Sequence, residues 1–129
     1  MKYMNICNKS FEIAKSLLLK QGYLNPLTFL VTEKGDVLIT KISPPSVPIA
    51  HIKDAAFFER ITEEYNAVCV FWIGDFFVND DDEIIPIHNQ NGKSAIILHC
   101  EYVDGSYRII QNYVQNEENK IIFGKKAIY

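Results

Sequence analysis

Asp80, Asp81, Asp82 and Glu83 stand side by side, and His88 follows five positions after Glu83. Carboxylates near an imidazole can do two kinds of chemistry, holding a cation or moving protons. A calcium loop of the EF-hand type needs oxygen ligands at alternate positions, a glycine at the sixth and a glutamate at the twelfth. Counted from Asp80, those places hold Ile84 at the fifth, Ile85 at the sixth and Asn91 at the twelfth, so the pattern fails. A transition-metal set would draw on Asp80, Asp82, Glu83 and His88. Glu83 and His88 point to opposite faces of an extended chain, and only a bend at Pro86 would bring them together. The favoured reading is a solvated hairpin tip whose charges keep an apolar neighbour from edge-to-edge pairing. The alternative is a metal-dependent or acid–base enzyme, or a small-ligand binder, using this run and His88 with Asp75 in support.

Other chemistry is thinner. Gly92-Lys93-Ser94 ends like a phosphate-binding loop, but the glycine required five residues before Gly92 is Ile87. Cys7, Cys69 and Cys100 are far apart in the chain and include no CxxC pair. Each falls on an apolar stripe or strand, so all three read as small core hydrophobes. His51, His88 and His99 sit at a helix start, in a loop and on a strand. His99 beside Glu101 and Arg108 forms a half-exposed polar cluster in this reading. No catalytic residue and no cofactor is assigned.

The elements that would position these groups follow from periodicity. Cys7, Phe11, Ala14 and Leu18 repeat at helical spacing over residues 5–21, with Ile13 and Leu17 widening the stripe, and Gly22 ends the helix. LTFLVTEKGDVLITKI reads as a hairpin turning at Glu33-Lys34-Gly35, with Val31 opposite Val37 and Phe29 opposite Ile39. SPPSVP leads to a second helix over residues 50–65. AVCVFWIGDFFV is a strand whose unbroken apolar run from Val68 to Ile73 implies cover on both faces, with a bulge or bend at Gly74. EIIPI is a short strand. SAIILHCEYV-DG-SYRIIQNYVQN is a hairpin turning at Asp104-Gly105, which sets Tyr102 opposite Tyr107, Cys100 opposite Ile109 and Glu101 opposite Arg108. IIFG is the last strand, before a tail.

The result is one α+β domain over residues 1–129. It is an antiparallel sheet of about six to seven strands carrying two helices, in the order α-ββ-α-βββββ. The opening order α-ββ-α-βββ resembles that of roadblock and profilin-like modules.

Whole-chain properties narrow the function. The 129 residues are 48% hydrophobic and carry a net charge of −3, which suits an ordered globular domain and leaves no basic footprint for nucleic acid. No apolar run approaches the ~18 residues of a membrane span. The odd cysteine count and the lack of a secretory signal point to the cytoplasm. The expectation is an acidic protein-interaction module (an adaptor, inhibitor, immunity or phage/mobile-element accessory protein) with a protein partner and homo-oligomerisation allowed. Its contact residues would be Phe76, Phe77, Tyr102, Tyr107 and Tyr113, with Asp80, Asp81, Asp82 and Glu83 as a charged surface.

Overall fold

The computed structural model describes residues 2–24, 27–40, 63–64, 66–85, 92–102 and 105–129. Its elements are α1 (Lys2–Gln21), β1 (Leu27–Thr32), β2 (Val37–Thr40), β3 (Ala67–Val78), β4 (Ile84–Ile85), β5 (Lys93–Tyr102), β6 (Gly105–Gln115) and β7 (Ile121–Ile128). The strands form one antiparallel sheet in the order β2-β1-β3-β5-β6-β7, with β4 pairing onto the end of β3. The α+β class stands in this form, but the helix count differs from expectation. The described residues hold one helix. The second, expected over 50–65, lies outside them except for Glu63 and Glu64, which have helical backbone. No helix among the described residues is long and apolar enough to cross a membrane.

Helix α1 forms because one stripe of its surface belongs in the core. Cys7, Phe11, Ala14 and Leu18 are buried against the sheet, and burial of such a stripe is what stabilises a helix of this length. Gly22 ends it at φ 82°, its N–H donating to the Leu18 carbonyl at 2.8 Å. The stripe is narrower than its periodicity implied. Ile13 and Leu17 are 61% and 42% exposed, so they flank the core contact instead of widening it.

The β1–β2 hairpin has the expected register, with Val31 opposite Val37 and Phe29 opposite Ile39. Its tight turn is closed by the Gly35 N–H donating to the Thr32 carbonyl, with Gly35 at φ 88°. Leu30, on the face away from Phe29 and Val31, is buried as well. The same holds along β3. Phe71 and Ile73 pack under α1, while Val70 and Trp72 point the other way and are equally buried. That two-sided burial is what the unbroken apolar run required.

Three local expectations are corrected. Gly74 makes no bulge towards β5, because pairing runs evenly from Cys69↔Tyr102 to Val78↔Lys93. The irregularities lie at Val31/Thr32 and at Gln111/Tyr113. The last strand continues through the expected tail to Ile128, pairing Ala127 with Ile110 and Ile128 with Ile109. The β5–β6 hairpin is slipped by two residues from the expected register: Cys100 faces Tyr107, His99 faces Arg108 and Glu101 faces Ser106. The opposition of Glu101 and Arg108 is therefore lost. A two-residue slip keeps every side chain on its own face, so hydrophobic patterning does not distinguish the two registers.

Candidate functional site

The acidic run is a turn, and its organiser is the residue before it. Asn79 Oδ1 accepts hydrogen bonds from the backbone N–H groups of Asp81 (2.9 Å) and Glu83 (3.0 Å). The Asn79 N–H donates to the Glu83 carbonyl, and Asp82 takes a positive φ of 58°. The β6–β7 connection repeats the device. Asn116 Oδ1 accepts from Glu118 and Lys120, both at 2.9 Å, with Asn119 at φ 61°. Both segments read Asn followed by four mainly charged residues, a side-chain-capped turn of the Asx kind. That asparagine was the signal available in the sequence.

This turn folds beside the sheet face that points away from α1. There Asp81, Asp82 and Glu83 line one side of a cleft of about 280 Å³, and His99, Ser106, Arg108 and Tyr129 complete it. The Tyr129 hydroxyl donates to Asp82 Oδ2 at 2.6 Å, closing the turn onto the end of the last strand. That hydrogen bond, and then the charge of Asp82, push the Tyr129 phenol above its ordinary range. Asp82→Asn is expected to return the phenol towards that range, so ultraviolet titration of the variant should show a tyrosine ionising at lower pH than in the wild type. An unchanged titration would separate Tyr129 from the turn.

His99 is the floor of the cleft. It is 2% exposed, against the half-exposed cluster expected. Its Nε2 lies 2.6 Å from Glu101 Oε1, and Arg108 Nε donates to its Nδ1 across a long 3.4 Å. If Nδ1 accepts, Nε2 carries the proton and donates to Glu101, so the ring is a neutral bridge with both nitrogens engaged. Trp72 stacks on the imidazole with centroids 5.5 Å apart. Burial draws the Arg108 guanidinium below its usual value, opposed by the charges of Glu101, Tyr129 and Asp82. A histidine held this way is a poor proton shuttle, since moving its proton breaks one of its two bonds.

The other nominated residues are dispersed. Asp80 pairs with Lys93 at 2.9 Å, which holds its carboxyl below the usual range by hydrogen bonding and then by charge. His88 and His51 lie outside the described residues. Among the described residues, no group of three or more His, Cys, Asp or Glu is placed to hold a metal ion. Asp75 is on the α1 side of the sheet, accepting from the Tyr113 hydroxyl at 2.6 Å. Burial raises its carboxyl, opposed by that hydrogen bond.

The nominated aromatics are largely engaged within the fold. Phe76 meets Trp72 edge-on at 5.2 Å. Tyr107 is buried and donates to Asn8 Oδ1 on α1 at 3.1 Å. Tyr102 and Tyr113 are half-buried against the core under α1, and Phe77 is half-buried opposite Ile85.

The exposed apolar surface is elsewhere. Ile13, Leu17, Leu24, Leu27, Phe29 and Ile73 line a groove of about 160 Å³ between α1 and the sheet. Leu27 is 42% exposed, and β2 at the sheet edge exposes Val37 and Leu38. Periodicity had assigned Ile13 and Leu17 to the core, so their exposure was not legible from spacing. Comparison with protein-family models, with curated proteins and with solved structures finds no match.

Proposed function

We propose that the protein acts by binding another protein, without catalysing a reaction, and that the groove between α1 and β1 receives the partner's apolar side chains. The observation that carries this reading is the exposure of Ile13 and Leu17 beside the buried stripe of α1, next to Leu27. Exposed aliphatic residues scattered singly need no explanation, whereas a groove lined by several of them is the form a recognition surface takes. The engaged state of His99 supports the non-catalytic half of the proposal. Three free, buried cysteines suit the reducing cytoplasm in which such a module would work. A second copy of the chain is an admissible partner.

The test uses protein purified from its own host, with native mass spectrometry to find the bound chain. Leu17→Asp places a charge in the groove and leaves the buried stripe intact. It is expected to weaken the complex by about a hundredfold, the scale of a contact worth more than ~2 kcal/mol, with the circular dichroism spectrum unchanged. An affinity within about twofold of wild type, or a protein that stays monomeric and recovers no partner, would reject the reading.

The cleft at His99 supports a second reading, a small-ligand site. Its wall of three carboxylates beside Arg108 and Tyr129 fits a ligand bearing a cationic group. A small molecule retained by wild type and lost from Asp82→Asn, with the groove variant unaffected, would favour it over the first.

A further inference from the structure

Cys7, Cys69 and Cys100 are separated in sequence but converge in the core beneath α1. β3 and β5 are neighbours, and their register sets Cys69 against Tyr102 and Cys100 against Phe71. The two cysteines are thus a diagonal cross-strand pair on one face. Their sulfurs are 3.0 Å apart, within about 1 Å of the ~2.05 Å of a covalent disulfide. Cys7, on the second turn of α1, is buried in the same core cluster. We infer that Cys69 and Cys100 form a buried oxidisable pair, which one equivalent of a small hydroperoxide converts to a cross-strand disulfide.

Both thiols of the pair are pushed up. Cys69 rises to about 12: its hydrogen bond with Cys100 lowers it, but Cys7 and burial together outweigh that. Cys100 is raised by its hydrogen bonds to Cys69 and Cys7. Both are at most 1% exposed, so oxidation proceeds through local opening of the core. One sulfur of the pair, as its thiolate, bonds to one peroxide oxygen as the O–O bond breaks, and the departing oxygen takes a proton to leave as alcohol or water. The sulfenic acid is then attacked by the other sulfur. An S–S bond forms, the S–O bond breaks, and the hydroxyl leaves as water with that thiol's proton. In sum, two thiols lose two electrons and two protons, and the hydroperoxide becomes an alcohol and a water.

The test is titration of the full-length reduced protein with hydrogen peroxide, followed by denaturation in an alkylating reagent and peptide mapping. Free thiols are expected to fall from three to one, with a peptide cross-linked between Cys69 and Cys100, alkylated Cys7, no change in oligomeric state, and reversal by dithiothreitol. Cys7→Ala leaves the pair in place and is expected to give the same Cys69–Cys100 cross-link, whereas Cys69→Ser is expected to give none within the chain. Three thiols remaining, irreversible oxidation to sulfonic acid, a cross-link between chains or a co-purifying metal held by the three thiols would each overturn the inference.

Discussion

Phe11→Ala is expected to lower folding stability by about 3–5 kcal/mol, the range for truncating a large buried aromatic. Phe11 is fully buried at the middle of the α1 stripe. Its ring also carries the Lys126 ammonium, 5.4 Å from the centroid, so its loss removes a link to the last strand as well as the core contact. Nothing else on α1 replaces it, because Cys7 and Ala14, its neighbours on the stripe, are small. In urea unfolding the midpoint should fall while the slope is retained. Ile13→Ala, two positions on but 61% exposed, is the control and should stay within about 0.5 kcal/mol. A Phe11→Ala cost below about 1 kcal/mol would mean that α1 is not packed as described.

His99→Ala is the second large effect, expected to cost about 2–4 kcal/mol. The loss has two parts. The cavity under Trp72 removes a stacked contact at 5.5 Å. The partners left behind are charged and partly desolvated: the Glu101 side chain is 15% exposed and loses its donor, and Arg108 loses its acceptor. Glu101→Gln keeps an acceptor oxygen for His99 Nε2–H and should cost clearly less than Glu101→Ala. A double-mutant cycle between positions 99 and 101 should return a coupling of about 1–3 kcal/mol. Additive costs would show that the 2.6 Å contact contributes little in solution, and His99 would then return as a candidate for proton transfer.

Both effects rest on features of unequal visibility in the sequence. The stripe carrying Phe11 is plain from spacing, as is the end of the helix at Gly22. The Phe29–Ile39 hairpin register was readable because a short turn with glycine admits few pairings. The cover on both faces of Val68–Ile73 was readable because a half-exposed strand would alternate. His99 itself was placed on the correct face, next to Glu101 and Arg108. Its depth was not readable, since burial of a polar residue depends on what lies over the strand.

By itself the sequence determined the buried stripe of α1 and its end at Gly22, the β1–β2 register and which side chains of the described strands share a face, but not how far the last strand runs. Those properties follow from local backbone preference and from periods of 3.6 and 2, which neighbours along the chain settle between them. The tertiary structure alone decided the rest. It chose between β5–β6 registers two residues apart, which bury the same face. It left Ile13 and Leu17 on a groove wall, since stripe width depends on the shape of the surface met. It brought Asp82 to Tyr129, 47 residues apart, and Cys69 to Cys100, 31 apart. Contacts of that kind are made between faces already defined, and no short-range pattern in the chain records which faces meet.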